Sequence, residues 1–277
     1  MLLTESRLQK KSKKYEILKN FERKEIKMKA LITGASSGIG KDMARVLSNM
    51  GYDIIAVARE EIKLNELKQE LKTKVEVIAI DLANSENCIG LYKTLKHKED
   101  IDIIINNAGF GDFGEFTTTN LDKEINMINT NITAVHILTK LFLQDMVKKD
   151  KGYILNVASI AGFMPGPLMA TYYSTKSYIV RLSQSIYTEL KKKKSKVSIS
   201  VLCPGPVATN FNNVAGVKFN LSSMSSEYVA KIAIKEMFKK KLIILLGIKI
   251  KTARFLAKIS PEKIVARVCY HMQEKKR

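Results

Sequence analysis

The sequence predicts an α/β fold, a doubly wound parallel sheet of about seven strands with helices on both faces. Three observations predict it. Short apolar runs alternate with longer amphipathic stretches along most of the chain. Several of the short runs are rich in Ile and Val and apolar on both faces, as strands covered by helices on each side must be. A glycine-rich segment joins the first run to the first helical stretch. At 277 residues, with 45% apolar and 27% charged positions, the chain suits one large domain, and wholesale disorder is excluded.

The expected strands are 29–33, 53–58, 75–80, 102–106, 153–158, 197–202 and 242–246. Amphipathic helices are expected between them at 40–50, 60–72, 85–96, 121–148, 172–193 and 226–239. Repeated strand–helix–strand spacing implies right-handed crossovers. In such a sheet a ligand site lies beyond the carboxyl ends of the strands, near the point where the strand order reverses. Residues 1–27 fit no strand position and read as a basic, partly helical extension. After the seventh strand, 248–277 reads as two basic amphipathic helices, at 248–259 and 261–274. The expected division is therefore 1–27, 28–247 and 248–277.

The net charge of +20 is uneven. Residues 1–27 carry +5 and residues 221–277 carry +10, which leaves +5 for the 193 residues between them. Such a field points to an acidic partner surface at the ends of the chain, not to a nucleic-acid groove across the domain. Cys88, Cys203 and Cys269 are far apart and suit a reducing compartment. With three scattered histidines they offer no metal site, so no metal is expected. The first residues lack the apolar core of an export signal, and no apolar run reaches membrane-spanning length. A cytoplasmic location is the expectation, with a membrane-peripheral one as the alternative.

The first strand runs into Thr33-Gly34-Ala35-Ser36-Ser37-Gly38-Ile39-Gly40. Glycines are needed where backbone must turn tightly and approach a pyrophosphate, and the following helix N-terminus offers unpaired N–H groups. The second strand ends in Ala58-Arg59, where a ribose-binding carboxylate would otherwise stand. An arginine there can pair with a 2′-phosphate, which favours NADP(H) over NAD(H). Asp81-Leu82 follows the third strand, where the Asp side chain can bond the adenine amino group. Asn106-Asn107-Ala108-Gly109 follows the fourth; its small residues let backbone pass close to the cofactor, and its amides can tie neighbouring strands.

Tyr172 and Lys176 share one helix face at i and i+4. The spacing alone is uninformative, because Tyr15/Lys19, Tyr92/Lys96 and Tyr187/Lys191 repeat it. Only Tyr172 opens a helix in the right half of the sheet with a serine, Ser159, just past the preceding strand. Reducing a carbonyl by hydride leaves an alkoxide that needs a proton. A phenol is a poor acid–base group near neutrality, and a neighbouring ammonium lowers its pKa. Ser159 can hold the substrate oxygen beside Tyr172.

Together, Thr33–Gly40, Asn106–Gly109, Ser159, Tyr172-x-x-x-Lys176 and Pro204-Gly205 resemble the short-chain dehydrogenase/reductase family over about residues 28–250. The glycine spacing is that family's own. The resemblance implies a single Rossmann-type domain that binds NAD(P)(H) and acts on alcohols or carbonyls. It implies that Lys176 bonds the nicotinamide ribose and that Asn131 holds a water on a proton relay to it. It further implies that Pro204, Gly205, Val207 and Thr209 belong to the segment covering the nicotinamide, and that Ala58-Arg59 marks an NADP(H)-preferring member. Homo-oligomers are common in the family.

Phe110, Phe113, Phe116, Phe163, Met164 and Met169 gather near the expected pocket, with Phe211, Val214, Val217 and Phe219 on the covering loop. An apolar ketone or acyl substrate is therefore expected. The alternatives are a 3-oxoacyl carrier-protein reductase, whose acidic carrier would suit the basic surface, and a non-catalytic NADP-sensing protein on the same fold. The last two helices can either lie on an anionic membrane surface or pack on the domain as a cover for substrate.

Overall fold

A computed structural model of the chain describes residues 28–96, 100–211, 215–216 and 223–275. The expected extension at 1–27 and the loop positions Val214, Val217 and Phe219 lie outside the described residues.

The chain alternates strand and helix from its first described residues. In order come β1 (Lys29–Thr33), α1 (Gly38–Asn49), β2 (Asp53–Ala58), α2 (Glu61–Glu70), β3 (Val75–Ala79), α3 (Ser85–Lys96) and β4 (Ile103–Asn106). The second half holds α4 (Leu121–Ile128), a π-helical turn (Asn129–Ala134), α5 (Val135–Lys149), β5 (Tyr153–Val157), a 3-10 turn (Ile160–Phe163), α6 (Ala170–Lys192) and β6 (Ser198–Leu202). Then follow β7 (Val207–Ala208), β8 (Met224–Ser225), α7 (Ser226–Phe238), β9 (Ile243–Ile244), α8 (Ile248–Ile259) and α9 (Glu262–Glu274).

Seven strands form one parallel sheet in the order β3-β2-β1-β4-β5-β6-β9. The order reverses between β1 and β4, so the loops leaving those two strands flank the crevice. Continuous apolar strands serve two cores at once. Ala30, Ile32, Ile103 and Ile105 face a layer that includes Met43 and Leu47 of α1 and Ile234 and Met237 of α7. Leu31, Ile104 and Ile154 face the opposite layer with Leu91, Leu95, Leu138 and Phe142. The two-residue period of a strand sends neighbours to opposite faces, so a strand covered on both must be apolar throughout. One group of buried polar side chains is internally bonded: Asn106 Nδ2 donates to Asn156 Oδ1 at 2.8 Å, and Asn156 Nδ2 donates to Ser183 Oγ at 3.1 Å. That chain of bonds ties β4 to β5 and β5 to α6.

Three features depart from the sequence expectation. The helical stretch at 121–148 is not uniformly α: the π turn around Asn131 interrupts it. The last strand shortens to two residues, because as the sheet edge it pairs with β6 alone. The β7–β8 pair, formed inside the covering segment, was not anticipated.

The two C-terminal helices meet the main domain at its reactive end. Helix α8 packs on the 3-10 turn after Ser159, with the Arg254 guanidinium 4.6 Å from the centre of the Phe163 ring. Helix α9 reaches α6, where Gln273 Nε2 donates to the Tyr173 hydroxyl. Among the described residues, no helix is long and apolar enough to cross a membrane.

Candidate active site

The turn after β1 is shaped by glycine. Gly34 and Gly38 hold φ of +66° and +54°, a region costly for residues with a Cβ. A Cβ on Gly40 would lie 2.3 Å from the Gly34 carbonyl oxygen and 2.4 Å from Asn107 Nδ2. Asn107 closes the crevice from the other side: its Nδ2 donates to the carbonyls of Thr33 (3.0 Å) and Gly34 (3.1 Å). Thr33 Oγ1 accepts from the amides of Asn107 (2.9 Å) and Ala108 (3.0 Å). Ser37 precedes α1 in extended conformation and makes no capping bond, and the first turn carries no acid. The helix therefore offers uncapped N–H donors and its positive dipole end at a close-approach turn. This donor set fits the diphosphate of a dinucleotide.

The remaining expected binding residues follow the carboxyl ends of β2, β3 and β6. Arg59 is exposed just past β2, with no acidic partner among the described residues. Asp81 stands beyond β3, its Oδ1 accepting from the Ala83 amide at 3.0 Å, and Leu82 beside it is buried. Thr209 lies against the glycine turn: a Cβ on Gly38 would be 3.0 Å from Thr209 Cγ2. The Pro204 carbonyl accepts from the Ile160 amide at 2.9 Å, which links the covering segment to the turn after Ser159. Gly205 makes room for Ile250 of α8; a Cβ there would lie 2.5 Å from Ile250 Cδ1. Val207 is partly buried in β7.

The reactive side chains converge past the end of β5. Ser159 leaves the strand in extended conformation, and its Oγ accepts from the Ala161 amide at 3.1 Å. Gly162 lets the following turn lie directly on α6, since a Cβ there would meet the Lys176 carbonyl at 2.7 Å. That contact brings Tyr172, in the first turn of α6, beside Ser159. Both are 9% exposed, and the Ser159 hydroxyl faces the phenol closely enough to oppose part of its upward shift. Lys176, 5% exposed, donates from Nζ to the Val157 carbonyl at 3.1 Å. A Cβ on Gly109 would lie 2.7 Å from Asn131 Oδ1 and 3.3 Å from Lys176 Nζ, so the loop after β4 passes close to both.

Asn131 is almost wholly buried within the π turn. Its Oδ1 accepts from the Phe110 amide (3.1 Å), and its Nδ2 donates to the Phe110 carbonyl (2.9 Å) and Thr175 Oγ1 (3.0 Å). In this arrangement it clamps the β4 loop to α6. The extra residue in the π turn aims it inward, a common use of such bulges. The expectation for Asn131 rested on the family resemblance alone, and nothing in the sequence signalled the π turn.

The electrostatics differ from the simple expectation. Burial pushes the Tyr172 phenol up to about 12, opposed by the hydrogen bond with Ser159. Burial also pulls the Lys176 ammonium down to about 8. No depression of Tyr172 by Lys176 is present here, because Nζ is turned to the Val157 carbonyl and lies 5.8 Å from the ring centre. Lys96 over Tyr92 and Lys191 over Tyr187 show nearly the same geometry, both at 5.5 Å. The i, i+4 pair is thus generic on these helices. Its meeting with Ser159 is what distinguishes Tyr172.

An apolar cluster surrounds the Tyr172 ring, with Met127, Ala161 and Met169 at its centre and Phe110, Phe113 and Phe211 against it. The Phe211 ring lies 5.2 Å from that of Tyr172. Phe163 packs instead with Ile179 and Cys203 beneath Arg254, and Phe116 is 67% exposed. Neither belongs to the cluster, because the 3-10 turn carries Phe163 toward the sheet edge. Sequence reasoning missed Tyr173, whose bond to Gln273 ties the last helix to this region.

The chain is similar to known proteins over most of its length. The family model for short chain dehydrogenases matches residues 28–218. An uncharacterised oxidoreductase of Staphylococcus epidermidis is 35% identical over 181 residues, covering 65% of this chain and 78% of its own. The human very-long-chain 3-oxoacyl-CoA reductase is 35% identical over 214 residues, covering 74% and 67% respectively. Among solved structures, a short-chain dehydrogenase from Sphingobium yanoikuyae in complex with NADPH superposes with a TM-score of 0.76. It is 28% identical, and the match covers 83% of this chain and 92% of that one. The bulky-bulky ketone specific alcohol dehydrogenase from Comamonas testosteroni gives 0.70 at 27% identity, with 85% and 95% covered. With its seven-stranded parallel sheet and matching motifs, the chain belongs to the short-chain dehydrogenase/reductase family of oxidoreductases, which act on CH–OH or carbonyl groups.

Proposed function

We propose that the protein interconverts an apolar carbonyl compound and its alcohol with NADP(H), using Ser159, Tyr172 and Lys176. The observation that carries this reading is the buried pairing of Ser159 with Tyr172, with Lys176 one helical turn below. Gly34, Ser36, Ser37, Gly38, Ile39 and Gly40 would hold the diphosphate, and Asp81, Leu82 and Asn107–Gly109 the adenosine side and its neighbouring backbone. Pro204, Gly205, Val207 and Thr209 would cover the nicotinamide. A bound nicotinamide supplies the hydride in reduction and accepts it in oxidation.

The chain's own residues do the rest. Ser159 Oγ donates to the substrate oxygen and positions it. With its phenol held up near 12, Tyr172 keeps its proton at neutral pH and can deliver it to the oxygen as charge develops there. Lys176 has two N–H donors beyond the one used on Val157, enough to hold a ribose diol and to restore charge near the phenol. Asn131 fixes the loop that lines this space. The aromatic and Met cluster around Tyr172 excludes water from the reacting oxygen.

Exposed Arg59, standing where a carboxylate would reject a 2′-phosphate, supports NADP(H). The NADPH in the S. yanoikuyae relative fits the same reading. The 35% identity to a very-long-chain 3-oxoacyl-CoA reductase and the +20 charge favour a second substrate, a 3-oxoacyl thioester. A panel of apolar ketones and 3-oxoacyl thioesters, followed by loss of NADPH absorbance, tests both. Turnover of neither class would sink the substrate proposal.

A further inference from the structure

Helix α8 is built inside out. On a helical projection, Ile248, Phe255 and Ile259 fall on one face with Thr252, and Leu256 borders them. That apolar face looks outward: Ile248 is 82% exposed, Phe255 and Ile259 each 61%. The face turned to the domain carries Ile250, Arg254 and Ala257, with the Arg254 guanidinium on Phe163. Burying an arginine stem while exposing Phe and Ile reverses the ordinary arrangement of a surface helix. Helix α9 repeats the pattern. Cys269 and Gln273 are buried against the domain, while Ile264, Val268 and Met272, four residues apart, are each more than half exposed.

Charge is arranged around these stripes. Lys251 and Lys258, seven residues apart, run along one edge of the α8 stripe, and Lys249 lies at the other. Arg267 and His271 border the stripe of α9. Residues 248–277 hold nine Lys and Arg against two Glu. Apolar residues in a row with cations at the rim match a helix lying in the plane of a bilayer interface, its lysines reaching up to lipid phosphates. A second copy of the chain would set two lysine rims against each other. Residues 1–27, with nine Lys and Arg against four Glu, carry the same sign of charge as these rims and do not complement them.

We infer that α8 and α9 form a docking surface for an anionic phospholipid bilayer, lying in its interface without crossing it. The same helices rest on the turn after Ser159 and on Tyr173, so docking sets the reactive end of the domain toward the membrane. This inference stands whether or not the substrate reading above is right.

The test is sedimentation of the full chain with vesicles of phosphatidylglycerol and phosphatidylcholine, against vesicles of phosphatidylcholine alone, at low and high salt. The wild type is expected to bind the anionic vesicles and to be released by salt. The double variant Phe255→Ser/Ile259→Ser, at exposed positions, should bind at least tenfold more weakly while keeping its turnover of a soluble ketone and its melting temperature. Reversing Lys251 and Lys258 to Glu should weaken binding by at least about 25-fold, since each cation near an anionic surface contributes about fivefold. Absence of binding to anionic vesicles at low salt overturns the proposal. So does unchanged binding by the Phe255/Ile259 variant, which would assign the affinity to the N-terminal extension. A wild-type dimer that the same variant dissociates, without vesicle binding, would assign the surface to a second copy.

Discussion

The Nζ of Lys176 lies 5.8 Å from the centre of the Tyr172 ring, and its hydrogen bond runs to the Val157 carbonyl at 3.1 Å. Two groups that are costly to bury as ions are thus packed together, one held neutral and the other drawn toward neutrality. Such perturbation is typical of functional sites, and it makes the first two predictions specific.

Tyr172→Phe keeps the ring and its packing but removes the proton donor. The expected outcome is a loss of kcat of at least about 100-fold, with NADPH affinity nearly unchanged. Steady-state kinetics beside NADPH titration by fluorescence check it. Near-normal turnover in this variant, or its loss in Tyr187→Phe, would refute the assignment.

Lys176→Met should separate stability from activity. The ammonium falls from 10.5 in the unfolded chain to about 8 in the folded one, so folding is penalised in full below pH 8. The penalty fades between pH 8 and 10.5, where the folded chain has shed a proton that the unfolded chain still holds, and is gone above 10.5. The variant should therefore be more stable at pH 7 by up to about 3 kcal/mol, less about 1 kcal/mol for the lost bond to Val157. Chemical denaturation at pH 7 and pH 10 should show the gain shrinking at the higher pH, while turnover falls at both. A variant less stable than wild type at pH 7 contradicts the argument.

Arg59→Ala addresses the nucleotide. A charge-assisted bond from Arg59 to a 2′-phosphate contributes about 1.5–3 kcal/mol, or roughly 10- to 150-fold. Wild type should prefer NADPH to NADH by that order, and the variant should narrow the gap through the KM of NADPH. Equal efficiency of the wild type with the two nucleotides would rule the role out.

A chain beginning at Met28 should fold and retain turnover. Among the described residues, every element of the sheet and every proposed site residue lies at or beyond Lys29, and the family match begins at residue 28. Circular dichroism and a ketone assay of the shortened protein check this; insoluble or inactive protein would show that the extension supports the domain.

The sheet, its parallel topology and the order of its helices were legible in the sequence because each rests on local rules. A strand covered on both faces must be apolar throughout, as Asp53–Ala58 and Ile103–Asn106 nearly are. A helix that opens at a close-approach turn needs glycine at 34, 38 and 40. The candidate residues were legible too, since Gly34–Gly40, Ser159 and Tyr172/Lys176 each carry chemistry in their type and spacing. Tertiary structure decided the rest, because it depends on contacts between residues far apart in the chain. Three Tyr–Lys pairs have nearly one local geometry, and only the packing of Gly162 on α6 sets one of them beside Ser159. The π turn aims Asn131 inward through bonds to Phe110 and Thr175, 21 and 44 residues away. Burial, not the neighbouring charge, rules the phenol of Tyr172. The basic amphipathic character of residues 248–259 was legible, but which of its apolar residues face outward was not. That was settled by Arg254 finding Phe163 and Ile250 finding Gly205, which left Ile248, Phe255 and Ile259 facing out.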